Sequence, residues 1–139
     1  MNQPPDLAQA QQELQRAYLL LSYADTEAAR AACARARAHA PDHPMPVLLD
    51  GSILIAAGQL RDALALLRRA TQRWPNEPLA HIYLAEANLL LGRRDAGLKC
   101  LATAQALDAQ AHATLIESLR ELFSNLDPAT LPAPLLIAS

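Results

Sequence analysis

Apolar and small positions along the chain fall into helix-length blocks that recur every 34 residues. Each unit holds about a dozen helix-favouring residues, a break, a second block of similar length and a proline-bearing exit. The breaks fall at Ala24, Gly58 and Gly92, and the exits at Pro41-Asp42-His43-Pro44 and Pro75-Asn76-Glu77-Pro78. Small residues keep the same spacing, Ala29 returning as Ala63 and Gly97, and Ala36 as Ala70 and Ala104. A self-similar period of this length predicts a repeat array, in which each unit buries its apolar face only by stacking on its neighbours.

The punctuation predicts how the helices turn. A residue just past a helix end commonly takes left-handed dihedrals, which glycine adopts without strain, and Gly58 and Gly92 stand at such points. Proline cannot continue the second helix of a unit. Asp42 and Asn76 are then expected to cap the following helices, whose first turns accept Pro44 and Pro78. Beyond the third unit, Asp108 is expected to cap a further helix over about 110–124, with Leu115, Leu119, Leu122 and Phe123 at helical spacing and Glu117, Arg120 and Glu121 outward. Such a helix would close the apolar end that stacking leaves behind. The segment after it differs in kind, because Pro128, Pro132 and Pro134 forbid a regular helix while Leu131, Leu135, Leu136 and Ile137 keep it apolar.

This pattern resembles the tetratricopeptide repeat family, whose motif has small residues at unit positions 8, 20 and 27 and proline at 32. Three units align without gaps: Ala17, Gly51 and Ala85 at position 8, then Ala29, Ala63 and Gly97 at 20, and Ala36, Ala70 and Ala104 at 27. Pro41 and Pro75 occupy position 32, where the third unit departs from the motif with Ala109. The first unit departs too, carrying Arg16 and Arg30 where apolar residues are usual. The resemblance implies an all-α fold of three tandem helix-turn-helix repeats in a short right-handed superhelix, with a C-terminal capping helix and a Pro-rich tail. The expected boundaries are a lead-in over 1–9, units over 10–43, 44–77 and 78–111, the capping helix over 112–125 and the tail over 126–139.

Composition narrows the function classes. The 139 residues suit one domain, and an apolar content of 52% with 4% aromatic suits close helix packing. A net charge of -2 gives no electrostatic case for nucleic acid or an anionic membrane, and Trp74 is not interleaved with basic residues. Residues 1–6 lack the charge and apolar run of a signal peptide, and no stretch reaches the ~20 apolar residues of a membrane span. A cytoplasmic location without membrane insertion is therefore expected. The chain has no phosphate-binding glycine loop, no HExxH and no Cys or His pair at zinc spacing, while His39 and His43 straddle Pro41. No enzyme, cofactor or metal is expected. Cys33 and Cys100 fall on second helices of non-adjacent units, too far apart to bridge, and read as small apolar thiols.

Function must then come from a groove. The resemblance implies that first helices line it, chiefly at unit positions 2, 5, 6, 9, 12 and 13. The candidate partner-binding residues are Leu14 and Tyr18 in the first unit, Met45, Leu48, Leu49 and Ser52 in the second, and Leu79, Ile82, Tyr83 and Glu86 in the third. Gln11, Gln15, Leu21, Ser22, Ile55, Ala56, Leu89 and Leu90 complete the wall. Met45, Leu48, Leu49, Ile82 and Tyr83 are expected to be exposed, whereas Leu21, Ile55 and Leu89 could serve either groove or core. Family members that grip acidic C-termini of heat-shock chaperones carry Lys, Asn and Arg at such positions, and this wall has none. The expected ligand is an apolar or amphipathic segment of a partner protein.

The third unit is also similar to small bacterial type III secretion chaperones, which implies a chaperone or assembly adaptor covering an apolar stretch of a client. The alternative is a self-associating structural module, such as a homodimer, whose groove is filled by its own or a neighbour's tail. Arg30, Arg35, Arg37, Arg68, Arg69 and Arg73 fall on second helices and are expected to form a solvated outer face.

Overall fold

Each predicted break is a left-handed residue, with φ of 60° at Ala24, 77° at Gly58 and 79° at Gly92. In the computed structural model, which describes residues 5–124, these turns split three helix pairs: α1 (Leu7–Ser22) with α2 (Thr26–His39), α3 (Met45–Ala56) with α4 (Leu60–Arg73), and α5 (Pro78–Leu90) with α6 (Arg94–Leu107). A last helix, α7 (Ala113–Ser124), follows. All regular structure among the described residues is helical. The Pro-rich tail expected over 126–139 lies outside them.

The helix ends depart from the expected pattern in four places. Asp6 and Asp25 cap α1 and α2, their carboxylates accepting from the N–H of Gln9 at 3.0 Å and of Ala28 at 3.2 Å. Helix α1 thus begins at Leu7, inside the expected lead-in. Asp42 does not cap α3. Pro44 is the N-cap there, and the Met45 N–H donates to His43 Nδ1 at 3.2 Å. Nor does Asn76 cap α5, since Glu77 takes that place and accepts from the Leu79 N–H at 3.4 Å. Asp108 accepts from Gln110 and Ala111 N–H at 3.0 and 3.1 Å, so it closes a turn rather than opening a helix. Helix α7 then starts only after His112, whose φ is 57°.

Small residues set how closely the paired helices approach. Ala17, Ala29, Ala63 and Ala85 are fully buried. A Cβ added at Gly51 would lie 2.6 Å from Leu67 Cδ2, so α3 and α4 meet at a distance that only glycine allows without moving that leucine. Large apolar side chains then fill the space between units. One cluster joins Leu48 and Leu54 of α3, Leu60, Leu64 and Leu67 of α4, and Leu84 of α5. A second joins Ile82 and Leu89 of α5 and Leu101 of α6 to Ile116, Leu119 and Phe123 of α7, which covers that face. The first unit is packed differently, with Ala17, Ala29, Ala32 and Cys33 set against Leu49 and Ile53 donated by α3.

The expected solvated arginine face is in fact partly a set of latches. Arg30 Nε donates to Asp50 Oδ1 at 2.7 Å, tying α2 to α3, and Arg35 Nε donates to Glu13 Oε2 at 3.0 Å, tying α2 to α1. Arg73 Nη2 donates to Asp42 Oδ1 at 2.7 Å, lies 4.6 Å over the Trp74 ring centre, and is joined by a Trp74 Nε1 bond to the Asp42 carbonyl at 3.2 Å. These side chains remain half-exposed, so each pair contributes at most about 1 kcal/mol. Asn88 is a buried exception in the third unit. Its Nδ2 donates to the Leu84 carbonyl at 3.0 Å, whereas its Oδ1 has no partner among the described residues. An orphan acceptor of that kind costs about 1–3 kcal/mol.

Candidate partner-binding groove

Helices α1, α3 and α5 touch in succession, and the 34-residue register brings their equivalent positions into line along one wall. The structure divides the ten predicted wall residues into two groups. Tyr18 is 53% exposed, and Leu14, Met45, Ser52, Leu79, Tyr83 and Glu86 are partly exposed. Leu48, Leu49 and Ile82 are instead buried, at 0%, 2% and 0% exposure, which corrects the expectation that they face outward.

The correction has a consistent physical cause. At unit position 5, Leu48 belongs to the cluster that includes α5 and Ile82 to the cluster that includes α7, so each plugs the seam toward the next first helix. Leu49, at position 6, packs in the cluster of the first unit. Leu14, the position 5 residue of the first unit, also packs against that cluster but stays partly exposed. It lines a cavity of about 360 Å³ with Leu7, Ala10, Gln11, Ala40, His43 and Pro46. Of the residues assigned to either groove or core, Leu89 is core, while Leu21 and Ile55 keep some exposure together with Leu90. Helical spacing alone gives all of these the same face; only the distance between neighbouring helices separates them.

A polar notch interrupts this apolar wall. Tyr83 is hydrogen-bonded to Ser52, and its phenol is pushed up mainly by burial, then by the nearby Tyr18 and Glu86. Glu86 is itself pushed up, and burial is the sole cause. Tyr18, Ser52 and Glu86 all occupy unit position 9, so the notch is a row crossing the three first helices, with Tyr83 reaching into it. Burial lifts the Cys33 thiol to about 12 and raises Cys100 as well, so neither is a ready nucleophile. Among the described residues, no three His, Cys, Asp or Glu side chains are placed to hold a metal. No helix among them is long and apolar enough to cross a membrane. A further cavity of about 290 Å³ lies away from this wall, where Arg37, Arg69, Arg73 and Trp74 surround Val47, Leu66 and Ala70.

Stacked helix pairs with a shared inner wall define an all-helical repeat protein. The family model for the tetratricopeptide repeat matches residues 54–119, and the same register continues through the first unit. Residues 54–119 thus match tetratricopeptide repeats, and the described chain shares the all-helical repeat fold of solved tetratricopeptide structures. Its fold recurs in the TPR2B domain of yeast Sti1 in complex with pHsp70, with a TM-score of 0.73 and 21% identity over 84% of this chain and 97% of that one. It also recurs in the Yersinia enterocolitica type III secretion chaperone SycD in complex with a peptide of the translocator YopD, with a TM-score of 0.69 and 20% identity over 82% of this chain and 91% of that one. A mutant O-GlcNAc transferase of Thermobaculum terrenum matches 99% of this chain with 26% of its own, at a TM-score of 0.74 and 25% identity. The likeness to Sti1 and SycD is one of fold. A search of curated proteins finds no match.

Proposed function

We propose that this protein is a non-enzymatic interaction module whose first-helix wall holds an apolar or amphipathic segment of a partner, as a chaperone or assembly adaptor of the type III secretion kind in the cytoplasm. The observation that carries the reading is the division of the wall. Leu48, Leu49 and Ile82 complete the core, yet Tyr18 is exposed and Met45, Leu79 and Tyr83 keep part of their surface uncovered on the same first-helix wall. A run of apolar surface along a groove marks a docking site. Support also comes from neighbours of the same fold, SycD with a YopD peptide and Sti1 with pHsp70. The wall carries no Lys, Asn or Arg at its inner positions, which favours an apolar ligand over an acidic one. Two or three anchors, each contributing roughly 1.5–3 kcal/mol on burial, support micromolar binding after association costs.

The test is affinity purification of the wild type beside a Tyr18→Glu, Met45→Glu double variant, with mass spectrometry of what accompanies each. Leu48→Glu is unsuitable, because a charge at that fully buried site would unfold the second unit. The double variant is expected to keep its helical content and melting temperature and to lose its partners. Equal recovery of the same partners overturns the reading. One observation favours self-association as a second function: Leu7 and Leu19 of α1 and Tyr23 just past its end are exposed, Tyr23 by 77%. Sedimentation that shows a monomer across the micromolar range would reject it.

A further inference from the structure

The notch at the middle of the wall identifies the charge of the partner, an inference that rests on the groove reading above. Glu86 sits in a row with Tyr18 and Ser52 at equivalent positions of the three units, and Tyr83 bonds Ser52 beside it. Ser52, Tyr18 and Glu86 thus all lie near Tyr83, on a stretch of wall that is otherwise largely apolar. The Glu86 side chain is partly buried, and among the described residues no ion pair includes it. The arginines Arg30, Arg35 and Arg73 belong to second helices and are committed to Asp50, Glu13 and Asp42.

A half-buried carboxylate without a counter-charge is unfavourable in the empty groove and becomes favourable once a cation meets it. Aromatic faces beside a carboxylate recognise ammonium and guanidinium groups in particular, since ring quadrupole and charge act in the same direction. An acidic ligand would be repelled at the same point. The chain's own C-terminal segment does not supply the cation, because residues 125–139 contain no Lys or Arg.

We propose that the notch formed by Glu86, Tyr83, Tyr18 and Ser52 receives a lysine or arginine side chain carried within the apolar segment of a foreign protein partner. The partner is therefore a basic amphipathic stretch, with apolar anchors on Met45 and Leu79 at unit position 2 and one cation about two helical turns further along the wall, at position 9.

Random dodecamer peptides displayed on phage, selected separately on the wild-type chain and on Glu86→Gln, test this directly. Wild-type selection is expected to yield peptides with one Lys or Arg at a fixed distance from apolar residues, and selection on Glu86→Gln is expected to lose that residue but keep the apolar ones. A synthetic winner should bind Glu86→Gln roughly ten- to a hundredfold more weakly, the scale of one charge-assisted contact. Its Lys→Met copy should bind both proteins alike. Apolar peptides without a conserved basic residue would overturn the cation site and leave the groove standing. An empty selection, or peptides indifferent to Tyr18→Ser and Met45→Ser, would overturn the groove and this inference with it.

Discussion

At the scale of single residues, Glu86 ties the proposed recognition to stability. Burial raises its pKa above the usual value of 4.5, so the folded chain holds the proton more tightly than the unfolded chain does. The stability from this group is therefore fully present below pH 4.5 and is lost as pH rises through the folded pKa. Its neighbour Tyr83, on the same helix, is itself pushed up from the usual phenol value, so it stays neutral over that range and does not reverse the sign. Replacing Glu86 by Gln removes the loss. The variant is expected to melt at or above the wild-type temperature at pH 7, with the two curves converging toward pH 4. A variant clearly less stable at pH 7 would mean that the free protein already gives the carboxylate a favourable partner. Under the proposed cation site, stability and binding are expected to move in opposite directions at this position.

At the scale of helices and turns, the repeat was legible because its signals are local. The breaks need a left-handed residue, and two of the three supply glycine. No heavy atom lies within 4 Å of a Cβ built at Gly58, so a Gly58→Ala substitution tests dihedral strain alone. It is expected to destabilise the fold by about 1 kcal/mol, and the mirror change Ala24→Gly to stabilise it by a few tenths to about 1 kcal/mol, read as shifts of the urea midpoint at unchanged slope. Equal and negligible shifts would show that the turns are not strained. Other features depend on distant partners and were not legible. Asp42 is as good a cap as the sequence offers, yet Arg73, 31 residues on, holds it instead. The inward position of Leu48 and Ile82 depends on how far apart neighbouring first helices sit, which periodicity does not encode. Register therefore put Tyr18, Ser52, Tyr83 and Glu86 on a face that keeps some exposure, while the outward placing of Leu48, Leu49 and Ile82 was misjudged.

At the scale of the whole molecule, an array of this kind is held together by nearest-neighbour contacts, so its weakest unit opens first. The buried side chains of α1 and α2 are Ala10, Ala17, Ala29, Ala32, Cys33 and Ala36, whereas α3 to α6 bury Leu48, Ile53, Leu54, Leu67, Ile82 and Leu101. Each fully buried leucine or isoleucine contributes roughly 1.5–3 kcal/mol, far more than an alanine, and the Arg30 and Arg35 pairs are too exposed to make up the difference. The opposite end is better closed, since Ile116, Leu119 and Phe123 of α7 pack on α5 and α6. Opening should therefore be polarised. In native-state hydrogen exchange, amides of α1 and α2 are expected to exchange through openings of lower free energy than those of α4 and α5, and uniform protection across the array would refute this. The gradient bears on binding, because Leu14 and Tyr18 lie on the unit that opens. A partner seated across the wall would have to hold α1 in place, so saturating peptide should raise protection in α1 and α2 more than in α4. Protection gained only in α5 to α7 would place the docking surface on the third unit and remove Tyr18 from it.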